Sequence, residues 1–209
     1  MYKTEPNRSR YAVSKQKTMV FLDCETTGLD SVHNEIIEFC AFKFVVIGEK
    51  YFSVDSIYLR MHIENTQYVS RDAMRVNGYK EEDWRAAEKQ EAGAKKIAQF
   101  LQGEQYIVGH NIGFDISFLR ETFQRHRINC NFGRKQLDTQ TLVHEHLFPC
   151  GLKSSSMDSV RKFLGWKIER YHNASMDALD VFRLYKLLNR ANFIQRSFWK
   201  IQHKIRKAF

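Results

Sequence analysis

The residues able to do chemistry fall in three short stretches of the chain. The first is Phe21-Leu22-Asp23-Cys24-Glu25-Thr26-Thr27-Gly28-Leu29. In a strand, side chains two apart share a face, so Asp23 and Glu25 point the same way and stand beside each other. Like charges so placed repel unless a cation joins them, and hard divalent cations take oxygen ligands. A lone D-x-E also suits a strand end that simply meets solvent. The second stretch, Val108-Gly109-His110-Asn111-Ile112-Gly113-Phe114-Asp115, is an apolar strand turning at glycines into a helix. Asp115 falls in the first helical turn, near the carboxyl end of the strand, where α/β proteins hold ligands. That position also suits an acid that complements the helix dipole. The third is His172-Asn173-Ala174-Ser175-Met176-Asp177. Were it all helix, His172 and Asp177 would lie about 140° apart, so His172 fits the preceding loop and Asp177 the first turns.

These residues need a scaffold that brings distant segments together. Runs 18–23 and 34–46 are apolar, β-branched and aromatic, and read as strands. Gly48-Glu49 turns the chain into a third, 50–62. Composition predicts a helix over 82–102, capped by Gly103, then a buried strand at 106–109. Helical spacing continues over 111–126, with a strand at 134–138 and helices over 139–148, 156–164, 174–189 and 193–207. Hairpin strands followed by alternating helices and strands make an α/β protein with a mixed sheet and helices on its faces.

The chain of 209 residues carries a net charge of +9 with 43% hydrophobic content, which excludes wholesale disorder. Its excess charge is at the ends. Residues 1–17 hold five basic residues and one acid, residues 189–209 six and none, and the remainder nets −1. Basic ends attract a polyanion, nucleic acid or an anionic membrane surface, and they also simply solubilise. The reading divides the chain into a basic tail, 1–17, a body, 18–189, and a basic helix, 190–209, that packs on the body with Lys and Arg outward. No stretch is long and apolar enough for a membrane span and the start lacks an apolar signal core, so an intracellular, non-secreted protein is expected, cytoplasmic or nucleoid-associated. Cys24, Cys40, Cys130 and Cys150 form no CxxC and read as free, buried thiols. His144 and His146 share no helix face, which speaks against a zinc pair. Asp72, Asp138 and Asp158 read as structural or solvent-facing, and Asp180, one turn after Asp177, as a helix-surface acid, with indirect contact to the site as its alternative.

In order and spacing, D-x-E-T-T-G-L, H-N-x-x-F-D and H-x4-D together resemble the three motifs of the DEDDh-family 3′→5′ exonucleases, with Ser70–Gly78 and Leu137–Leu142 agreeing as well. The resemblance spans about residues 18–189; Asn77 stands where relatives often have His. It implies a ribonuclease H-like fold with a five-stranded mixed sheet and helices on both faces. It further implies that Asp23, Glu25, Asp115 and Asp177 hold two Mg²⁺ or Mn²⁺ ions and that His172 is the general base. Thr26, Thr27, Leu29, Asn111 and Phe114 would contact the substrate. Phe114 is equally a core side chain, and His110 a cap on its strand. The expected reaction releases nucleoside 5′-monophosphates from 3′ ends of single-stranded or frayed DNA. An exoribonuclease is the alternative, and a module that binds nucleic acid or docks on a polymerase without cutting is a third. A DNA polymerase is a candidate partner, a membrane is not, and the oligomeric state is left open.

Overall fold

A computed structural model describes residues 16–167 and 173–208. Strands β1 (Lys17–Thr26), β2 (Ile36–Ile47) and β3 (Lys50–Arg60) run antiparallel in sequence order. Gly48 makes the second turn possible with a φ of 58°, a left-handed conformation that a side chain would strain. Strands β4 (Tyr106–Gly109) and β5 (Lys135–Asp138) add in parallel on the other side of β1. The order β3-β2-β1-β4-β5 is the five-stranded mixed sheet that the patterning predicts.

Seven helices accompany the sheet among the described residues: α1 (Arg71–Val76), α2 (Gln90–Leu101), α3 (Ile112–Arg125), α4 (Thr139–His146), α5 (Met157–Leu164), α6 (Ala174–Leu188) and α7 (Phe193–Ala208). Strand alternation in β1 assigns them to two faces. Val20, Leu22 and Cys24 pack with Ile97 and Leu101 of α2 and Ile116 and Leu119 of α3. Met19 and Phe21 point the other way, against Val181 and Tyr185 of α6. Fully burying each such large apolar side chain contributes roughly 2 kcal/mol. Val143, Val160, Phe163, Leu184, Leu188 and Trp199 then join α4, α5, α6 and α7 in a further cluster. The row Met19, Phe21, Asp23, Glu25 therefore runs along the α6 face and turns from apolar to acidic as it leaves the core.

Three expectations need correction. The helix predicted over 82–102 begins only at Gln90, after a 3-10 turn at Glu81–Trp84. Pairing with β3 overrides the helical composition here: Glu88 N–H donates to Arg60 O at 2.8 Å, His62 N–H to Glu88 O at 2.8 Å, and the Trp84 indole to Ile37 O at 3.0 Å. The helix predicted over 139–148 ends at His146, because Phe148 precedes Pro149 and enters a 3-10 turn. Helix α7 does pack, through Trp199, but leaves Ile194, Phe198 and Ile201 exposed, since apolar residues on opposite sides of one helix cannot all face the body. Cys24, Cys40 and Cys150 are buried thiols and Cys130 is half-buried. No helix among the described residues is long and apolar enough to cross a membrane.

Candidate metal and catalytic site

Three elements deliver the acids. Asp23 and Glu25 come from the end of β1, and Asp177 from the first turn of α6, which Asn173 caps by accepting from Met176 N–H at 3.2 Å. Each of these acids offers an oxygen within 4.8 Å of the others. Asp115, in the first turn of α3, lies outside that trio but joins it through the backbone: its Oδ1 accepts from Cys24 N–H, between the two β1 acids, at 3.0 Å. The left-handed Asn111, with φ 65°, starts α3, and its N–H donates to Asp138 Oδ1 at 2.9 Å. Asp138 also accepts from Gln140 N–H at 2.8 Å as the cap of α4, so its structural reading stands.

Crowding shows in the protonation of these groups. Burial, then the charges of Asp115, Asp177 and Glu25, hold the Asp23 carboxyl well above the usual carboxylate range, with Arg161 pulling weakly the other way. Burial pushes Glu25 up to about 8, helped by Asp177, Glu38 and Asp115. Asp115 rises to about 7 through burial, held back by its bonds from Cys24. Among the described residues, no hydrogen bond or ion pair reaches the carboxylates of Asp23 or Glu25. Closely spaced oxygen donors that resist ionising together are a donor set suited to a hard divalent ion, whose charge would relieve all of them.

Sequence reasoning missed Arg161. This residue of α5 is 2% exposed and its guanidinium meets Asp177 Oδ1 through Nη2, Asp180 Oδ2 through Nε at 2.8 Å and Asp158 Oδ1 through Nη1 at 3.2 Å. Burial works against its charge, but the bonds to Asp177 and Asp180 outweigh that and raise its pKa above the ordinary value. Asp180 is thus a buried acid tied to Asp177 through Arg161, and Asp158 an ion-pair partner. A signal existed: Met157, Val160, Arg161 and Leu164 follow i, i+3, i+4, i+7 spacing, which puts a guanidinium on the core stripe of α5.

The turn after Glu25 is built rigidly. Thr26 Oγ1 donates to Gly28 O at 2.7 Å, and the fully buried Thr27 hydroxyl accepts from Glu35 N–H at 2.9 Å, so both threonine side chains shape the loop. At Gly28 a Cβ would come 2.3 Å from Asn34 Oδ1, a clash no side chain could make. Asn34 in turn accepts from Asp30 N–H and donates to Tyr68 O, and Asn77 Nδ2 donates to Thr26 O at 3.1 Å. Leu29 projects from this frame at 86% exposure. Asn111 is exposed, while Phe114 is half-buried with its ring 4.7 Å from that of Phe118. His110 bridges Thr139 Oγ1 and Ser155 O at 2.9 and 2.6 Å, which ties the end of β4 to the starts of α4 and α5. His172 lies outside the described residues.

Residues 20–185 match the exonuclease (RNase T) family. A PolC-type DNA polymerase III of Latilactobacillus sakei is 30% identical over 186 residues, covering 85% of this chain and 12% of that protein. Its counterpart in Thermotoga maritima is 32% identical over 163 residues, 77% of this chain and 11% of that one. The chain thus spans only 11–12% of the length of these curated relatives. Among solved structures, the zinc-bound complex of E. coli exonuclease I with single-stranded DNA superposes with a TM-score of 0.71 at 19% identity, over 87% of this chain and 42% of that one. Exonuclease I of Methylocaldum szegediense gives 0.67 at 16% identity, over 87% and 42%. These two likenesses show the fold.

Proposed function

The chain belongs to the exonuclease family of DEDDh type, and on that premise we propose that it hydrolyses the terminal phosphodiester of single-stranded or frayed DNA from the 3′ end, releasing nucleoside 5′-monophosphates. The observation that carries this reading is the convergence of Asp23, Glu25 and Asp177 oxygens within 4.8 Å, with Asp115 bonded between the β1 acids. Asp23, Glu25, Asp115 and Asp177 would hold two divalent ions, Mg²⁺ or Mn²⁺. Such a pair, when bound, polarises the phosphodiester and stabilises charge on the attacking and leaving oxygens.

The chain's own groups do the rest. His172 takes the proton of the attacking water on an imidazole nitrogen, since imidazole titrates near neutral pH. Leu29 and one face of Phe114 pack against the terminal base, a contact tolerant of sequence. The backbone of the braced turn at Thr26 and Thr27 and the Asn111 side chain meet the terminal sugar. The basic ends gather the strand, and a DNA polymerase is the proposed partner.

Digestion of matched single-stranded DNA and RNA oligonucleotides with and without EDTA tests the proposal. DNA shortened stepwise from its 3′ end, and only with a divalent ion present, is expected; a rate strongly favouring RNA would overturn the substrate assignment. His172→Ala is expected to cut the rate by roughly 10² or more, read as single-turnover cleavage with binding of the DNA end retained.

A further inference from the structure

Behind Asp177, helices α5 and α6 enclose a guanidinium that solvent does not reach. Arg161 spreads its three nitrogens over three carboxylates, Asp177, Asp180 and Asp158, and Asp180 is braced again by Arg183 Nη1 at 3.1 Å. A planar fork bonded on two sides to Asp158 and Asp180 has a fixed place and direction. Asp177 meets it through Nη2. Asp177 and Asp180 also stand one turn apart on α6, where like charges repel without a shared cation.

We infer that Arg161 is a positioning residue for the metal centre: held by Asp158 and Asp180, it fixes the Asp177 carboxylate on the line toward Asp23 and Glu25. The inference rests on the reading of Asp177 as a metal ligand. Asp177 then serves two cations at once, the fixed guanidinium on one side and an ion shared with Asp23 and Glu25 on the other. Loss of a group that orients a ligand in this way typically costs about 10- to 100-fold in metal affinity.

The test titrates Mn²⁺ alone into the full chain, counting free ion by electron paramagnetic resonance and checking the fold by circular dichroism. Arg161→Lys keeps the charge but cannot span three acids, and is expected to weaken Mn²⁺ binding by about tenfold or more. The milder Asp180→Asn releases one arm of the fork and should weaken it by about threefold. In both, kcat lost at low Mn²⁺ should return at high Mn²⁺ with KM for the oligonucleotide unchanged, which a general loss of structure would not produce. Folded variants that bind Mn²⁺ as the wild type does would overturn the inference, and so would tighter binding, which would make Arg161 a competitor of the ion. Asp23→Asn separates the two readings. If it too binds Mn²⁺ normally, the metal centre itself is misassigned; if it alone loses the ion, Arg161 has no part in the site.

Discussion

The acidic centre has two sides that solve the same electrostatic problem differently. On the α6 side, Asp177 and Asp180 are 8% and 5% exposed, and a buried guanidinium already answers them. On the β1 side, Asp23 and Glu25 belong to the same cluster of oxygens but have raised pKa values and no ion pair among the described residues. The contrast divides the cluster: Asp177 and Asp180 already share a buried cation, while Asp23 and Glu25 have no counter-charge of their own among the described residues.

That contrast can be broken most severely by chemistry. Asp23→Asn is expected to lower cleavage by about 10³-fold or more, since the proposal makes Asp23 a ligand of the reacting centre, measured by single-turnover release of a labelled 3′ nucleotide. Stability without metal should move in opposite directions on the two sides. Arg161→Gln, which strands buried carboxylates, should cost roughly 3–5 kcal/mol in urea unfolding. Asp23→Asn should instead gain about 1 kcal/mol, because it removes an unpaired acid from a crowded site. If both variants were destabilised alike, the division between the sides would fail.

The smallest effect expected is on pH dependence. Folding raises Glu25 from 4.5 to about 8 and Asp115 from 3.8 to about 7, so the folded state binds more protons than the unfolded chain across that interval. The metal-free stability contributed by these groups should be fully present only below about pH 4, decline steadily as pH rises from there to about 7 to 8, and level off above. Melting curves between pH 5 and 9, with and without saturating Mg²⁺, would show it. The ion should flatten the decline, because it replaces the protons that the acids otherwise keep.

Much of this was legible in the sequence. The first strands and β4 followed from apolar runs, and the pairing of Asp23 with Glu25 from period-two alternation, because those signals are local. Asp115 and Asp177 were placed on helix starts by the same logic, and the motif resemblance joined them. Residues 85–89 were misread because their helical composition yields to hydrogen bonds with the distant Arg60 and His62. Asp180 was misread, and Arg161 overlooked, because their ion pair joins two helices whose register no local pattern states. What a local pattern did carry, a basic residue on an apolar stripe, is informative only when something buried awaits the charge.

The starts of α3 and α6 carry one more consequence. Asp115 and Asp177 each sit in the first turn of a helix, so two helices bring their amino ends, each about half a positive charge, to the same acidic cluster. The peptide backbone itself thus favours negative charge at that place before any ion or guanidinium is counted.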